Sequence, residues 1–128
     1  MGRIAVQVAT ENFAFPDQRI EFAAMVDTGA SHLTLPSAWK DQLGDFPICR
    51  DETLYLADQS TLQGQVCGPV MINIEGFDPI ASEVLFVDRD EVKGRYEPLL
   101  GYIPLEQSKA AVDMLGQRLV PVKHLDLK

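Results

Sequence analysis

Phe22-Ala23-Ala24-Met25-Val26-Asp27-Thr28-Gly29-Ala30-Ser31-His32-Leu33-Thr34-Leu35 is the stretch on which the reading of this 128-residue chain turns. An apolar run leads into an acid, a small hydroxyl, a glycine and an alanine, and an alternating Leu-Thr-Leu follows. A carboxylate is thereby placed at the end of a strand, inside a turn where Gly29 permits close backbone approach. Asp-Thr-Gly is also ordinary surface-turn chemistry. A surface turn, however, is not normally preceded by Phe-Ala-Ala-Met-Val and followed by Leu-Thr-Leu.

Outward from this stretch, the chain reads as many short strands. Ile4, Val6 and Val8 alternate with Ala5, Gln7 and Ala9, a period of two. Glu11-Asn12 and Pro16-Asp17 mark a loop or hairpin end. Gln18 to Val26 forms a second strand with Ile20, Phe22 and Ala24 on one face. Pro36-Ser37 opens a short helical turn carrying Trp39 and Leu43, stopped by Gly44. Leu54 to Leu56 and Leu62 to Val66 flank a polar tip, Asp58-Gln59-Ser60-Thr61, in the pattern of a β-hairpin. Val70, Ile72 and Ile74 alternate as a further strand ended by Gly76, and Ala81 to Val87 as another, ended by the charged loop Asp88-Arg89-Asp90-Glu91.

The C-terminal third admits two readings. Pro104 to Lys109 suits a helix start, with Pro at the first position and Glu106 in the first turn, and helical spacing continues to Gly116. Alternatively, Leu115-Gly116-Gln117 is a turn between strands. A short helix followed by a hairpin is the preferred reading. With no repeat and no linker, residues 1–128 are expected to form one mostly-β domain, closed or barrel-like.

Composition limits the function classes. Hydrophobic residues are 46% and charged residues 23%, an ordinary globular mixture. The net charge of −8 lacks the cationic footprint that phosphate backbones require, so no nucleic-acid partner is expected. The longest purely apolar run, Phe22 to Val26, falls far short of the ~20 residues a membrane span needs. No signal-peptide core precedes it, and Val6 stands where a myristoylation pattern wants Ser or Thr. A cytoplasmic protein with no membrane partner is the expectation. Cys49 and Cys67 cannot make a structural zinc site alone. They read first as small hydrophobes or free thiols, with a bridge between them left open. His32 and His124 have no partners at metal-ligand spacing; His32 reads as a neighbour of the Asp27 turn.

About seventy residues after Asp27 comes Pro98-Leu99-Leu100-Gly101. Together with Asp27-Thr28-Gly29-Ala30, this segment resembles the retropepsin-like aspartic proteases over nearly the whole chain, roughly residues 4 to 122. The resemblance implies a closed, mostly-β retropepsin fold with one short helix near the C-terminus. It implies that Asp27, Thr28 and Gly29 form the catalytic turn, and that the apolar-apolar-Gly segment crosses behind it. Leu56 to Gly64 then stands as a flap, with Ala30, Ala57, Asp58, Gln59 and Ser60 contacting a peptide or protein substrate. No metal and no cofactor are implied.

The chemistry needs two carboxylates, one as general base on a water and one as general acid. Like charges a few Å apart share a proton, and their pKa values split. A single Asp-Thr-Gly implies a homodimer giving one Asp27 from each subunit about a two-fold axis. By the same resemblance Thr28 bonds across that axis, and Ala30, lacking a hydroxyl, cannot donate to the aspartate. The departures are Gln59, where a flap glycine is expected, and Tyr102 and Ser31, where retroviral relatives place an Arg and its acidic partner. Two rival readings accompany this one: a catalytically inactive dimerisation or peptide-binding module of the same fold, and an unrelated ligand-binding β-barrel.

Overall fold

The computed structural model describes residues 3–56, 58–88 and 97–122. Strands β1 (Ala5–Asn12) and β2 (Arg19–Val26) form an antiparallel hairpin, with Val8 opposite Phe22. β3 (Leu33–Pro36) leads into a 3-10 turn (Ser37–Trp39) and α1 (Lys40–Leu43), which ends at Gly44 with φ 79°. β4 (Ile48–Tyr55), β5 (Thr61–Ile74) and β6 (Ile80–Val87) form a meander, followed by the short β7 (Leu99–Leu100), α2 (Tyr102–Gln107) and the hairpin of β8 (Ala110–Asp113) and β9 (Arg118–Pro121).

The large sheet runs in the order β1-β2-β7-β3-β6-β5-β4, and β1 also pairs with β5. Six strands thus close into a barrel, which removes the edges an open sheet would leave. β4 is the seventh strand and lies outside the ring, with β5 as its one neighbour in the sheet. The alternating residues found in the sequence fill the interior: Val8, Ala24, Leu33, Leu35, Ile72, Ile74, Val84, Phe86 and Leu100 are all buried in one cluster. A second, smaller cluster of Val66, Leu85 and Val87, with Leu54 and Leu62 against it, sits under the β4–β5 hairpin.

Two local expectations change. The segments Leu62 to Val66 and Val70 to Ile74 are one 14-residue strand, β5. Pro69 breaks the alternation without ending the strand, because it sits at a register shift between Cys67 and Val70, after a cis Gly68–Pro69 peptide. A proline lacks the ladder donor and is tolerated at such an irregularity. Before it β5 pairs with β4, and after it with β1. Asn12 ends β1 as a buried side chain, its amide donating to the carbonyls of Leu43 and Asp45, both at 2.8 Å. Cys49 and Cys67, directly opposite each other on β4 and β5, form a disulfide. The free-thiol expectation fails because the hairpin register brings their Cα atoms to 4.2 Å. The charged loop expected over 88–91 lies, beyond Asp88, outside the described residues. No helix among the described residues is long and apolar enough to cross a membrane.

Candidate active site

The Asp27 turn is built almost entirely from backbone. β2 delivers it: Met25 and Val26 pair in parallel with Leu99 and Leu100 of β7. The Val26 amide donates to the Ile4 carbonyl at 2.8 Å, and the Asp27 amide donates to the Leu100 carbonyl at 3.0 Å. A hydrogen bond from the Ala30 amide to the Asp27 carbonyl, 3.1 Å, closes the turn. The Gly29 amide donates at 2.9 Å to Oδ1 of Asp27, which orients the carboxylate. Asp27 is half-buried, and Thr28 and Gly29 are exposed.

The Leu99-Leu100-Gly101 segment locks this turn from behind. The Gly101 amide donates to the His32 carbonyl at 3.1 Å. The next two amides, Tyr102 and Ile103, donate to the Ala30 and Ser31 carbonyls, each at 2.9 Å. These are among the first amides of α2, which have no partner inside their own helix. α2 carries no side-chain cap, so the carbonyls of the turn take that role. The helix therefore begins at Tyr102, two residues before the expected start at Pro104, and Pro104 occupies its third position. Gly101 is required by space: a Cβ there would meet the Ser31 carbonyl carbon at 2.5 Å, the Ala30 oxygen at 2.6 Å and the His32 nitrogen at 2.7 Å.

Asp27 and Thr28 line an open cleft of about 400 Å³, together with Arg3, Ile4, Met25, Val26, Val112 and Met114. Arg3 pairs with Glu97 and donates from Nε to the Met25 sulfur at 3.3 Å. Sequence reading missed Arg3, Val112 and Met114, because their approach to Asp27 depends on contacts between the two ends of the chain. On the other side of the turn, Ser31 Oγ lies 2.7 Å from His32 Nδ1. Burial pulls the His32 pKa below its ordinary value, partly countered by Glu83 and Glu52, while Arg50 adds to the lowering.

The β4–β5 hairpin ends in a compact polar tip. The Gln59 amide donates to the Leu56 carbonyl and the Leu56 amide to the Ser60 carbonyl, both at 2.9 Å. Asp58 accepts from the Ser60 amide at 3.0 Å and from the Ser60 hydroxyl. These bonds hold its carboxyl below the usual range, the Ser60 hydroxyl first. Gln59 has φ 70°, the left-handed conformation that favours glycine. Asp58, Gln59 and Ser60 are exposed and do not line the Asp27 cleft; Ala57 lies outside the described residues.

A TM-score of 0.59 relates the chain to the structure of EIAV protease complexed with the inhibitor HBY-793. The fold is retropepsin-like. The match covers 82% of this chain and 86% of the viral one, at 18% identity. No family model matches the sequence, and no curated protein does. Within this retropepsin-like frame, the Asp27 turn is a carboxylate site locked by backbone hydrogen bonds.

Proposed function

We propose that the chain is an aspartic endopeptidase that works as a homodimer, hydrolysing peptide bonds with a water activated by two Asp27 carboxylates, one from each subunit. The observation that carries this reading is the Asp27-Thr28-Gly29 turn itself. It is held by backbone bonds on both sides, its carboxylate is oriented by the Gly29 amide, and it opens on a cleft. In the proposed dimer one carboxylate takes the proton of the water while its partner, protonated, donates to the peptide carbonyl. Sharing one proton keeps the two acids in these different states. Ala30 and the tip residues Ala57, Asp58, Gln59 and Ser60 are proposed to contact the substrate chain, the tip acting as a lid that excludes water.

Two features beside the cleft favour a second copy. The β8–β9 pair forms a sheet of its own, so both of its outer edges lack a strand partner among the described residues. Its turn also displays Met114, 66% exposed, and Leu115, 99% exposed. An apolar pair held outward next to a carboxylate that needs a twin is the kind of surface an isologous interface covers.

The test is peptide-library cleavage with and without pepstatin, run alongside sedimentation across a dilution series. Pepstatin-sensitive cleavage that declines as the dimer dissociates supports the reading. A folded dimer that cleaves nothing would favour an inactive dimerisation or peptide-binding module. A fully active monomer would overturn the dimeric mechanism.

A further inference from the structure

We infer that the Cys49–Cys67 disulfide is a redox-controlled latch on the β4–β5 hairpin. β4 lies outside the closed ring, and its residues are mostly exposed. Its ladder with β5, the packing of Leu54 on the Val66–Leu85–Val87 cluster, a bond from the Gln65 side-chain amide to Asp51, and the Arg50–Glu83 ion pair reaching across to β6 at 2.9 Å hold it to the barrel, and the disulfide is the one covalent cross-link among the described residues. The disulfide stands at the root of the hairpin, where β5 stops pairing with β4 and passes the register shift toward β1. All of the ladder from Arg50 to Tyr55, and the tip beyond it, lies on the far side of the disulfide.

Its two halves are unequal. Cys67 is fully buried in the main core, whereas Cys49 is exposed on the edge strand. In the proposed opening an external thiolate attacks the sulfur of Cys49, the half on the exposed edge strand. It forms a mixed disulfide there, and the Cys67 sulfur leaves as a thiolate and takes up a proton. A second thiol then attacks the mixed disulfide and frees the Cys49 thiol. Overall, two external thiols become one disulfide and the protein gains two thiols. The protein disulfide is reduced and the external dithiol oxidised. Opening this tether removes the covalent closure of a loop with sequence separation 18. Loop-closure entropy for that length corresponds to roughly a hundred-fold change in the opening equilibrium of the enclosed hairpin.

Only the consequence for cleavage rests on the proposed peptidase activity; the latch itself does not. The test is hydrogen exchange on the full chain with and without millimolar dithiothreitol under native conditions, with mass-spectrometric detection of alkylated Cys49. Dithiothreitol is expected to expose Cys49 to alkylation and to speed exchange of amides 48–55 by at least about ten-fold. Amides of β1 and β2 should remain unchanged. Cys49→Ala, a change at an exposed position, should exchange rapidly in this segment whether or not reductant is present. Asp27→Asn should respond to dithiothreitol like the wild type. If peptide cleavage exists, reduction should raise KM several-fold in the wild type and not in Cys49→Ala. A disulfide that resists millimolar dithiothreitol in the native protein, or one that opens without changing exchange in 48–55, would overturn the latch. Absence of cleavage in both redox states, with the exchange response intact, would overturn the peptidase reading and leave the latch standing.

Discussion

The Asp27 turn and the β4–β5 tip are both short, polar excursions from apolar strands, yet they are held in opposite ways. The Asp27 turn is fixed from two directions: Leu100 accepts its first amide, and the carbonyls of His32, Ala30 and Ser31 accept the amides of Gly101, Tyr102 and Ile103 respectively. Among the described residues, the tip is fixed only by itself. Its bonds run among Leu56, Asp58, Gln59 and Ser60, and Tyr55 beside it is 81% exposed. The Asp27 carboxylate is carried on crossing strands of the barrel, as the proposed catalytic role requires. The tip, proposed as a lid, is built on the one strand of the large sheet that lies outside the ring.

The largest effect expected from breaking this contrast is at Asp27. Asp27→Asn keeps the shape and the Gly29 contact but cannot accept a proton from water. Cleavage should drop by at least ~10²–10⁴ with thermal melting preserved; retained cleavage would remove Asp27 from the mechanism. Next comes Gly101→Ala, which touches no substrate. Its Cβ would overlap backbone of the Asp27 turn at 2.5 to 2.7 Å. Stability should drop by about 1–3 kcal/mol, and cleavage by about 10²-fold through displacement of the carboxylate. Calorimetry and a peptide assay measure both, and a neutral result would mean the turn is less tightly locked than its hydrogen bonds indicate.

A smaller effect concerns pH. Burial lowers the folded-state pKa of His32 from its ordinary 6.5. Below pH 6.5 the unfolded chain therefore binds a proton that the folded chain does not, and stability declines as pH drops toward the folded pKa. Glu83 on β6, Arg50 and Glu52 on β4, and the neighbouring Ser31 are the groups that bear on this ring. His32→Asn should flatten melting temperature against pH in that window and leave it unchanged above pH 7. The smallest effect belongs to the tip. Gln59→Gly relieves a left-handed residue and should stabilise the tip by up to ~1 kcal/mol, slowing exchange of the Ser60 amide. Destabilisation there would show that the Gln59 side chain makes a contact that matters.

Local chemistry made much of this fold legible. Period-two alternation placed β1, β2 and β3, Gly44 ended α1, and the polar run at Asp58 marked the hairpin tip. The Asp27 turn stood out because apolar strand residues flank it on both sides. What escaped reading depends on register and on contacts between distant segments. A spacing of 18 between two cysteines says nothing until the β4–β5 pairing sets them opposite each other. Leu62 to Val66 and Val70 to Ile74 read as separate segments, although a register shift between Cys67 and Val70 lets one strand continue. The start of α2 follows from carbonyls some seventy residues earlier in the chain, which accept its first amides. Arg3 and Met114 reach the Asp27 cleft only once both ends of the chain have folded.

The central claim is that two chains each supply one Asp27 to a single site. It is tested most directly by mixing wild-type chain with Asp27→Asn chain at constant total concentration, allowing subunits to exchange, and measuring peptide cleavage against the wild-type fraction. A site built from two carboxylates is active only in wild-type pairs, so the rate should decline with the square of that fraction. A linear decline would show that one Asp27 suffices and would contradict the account.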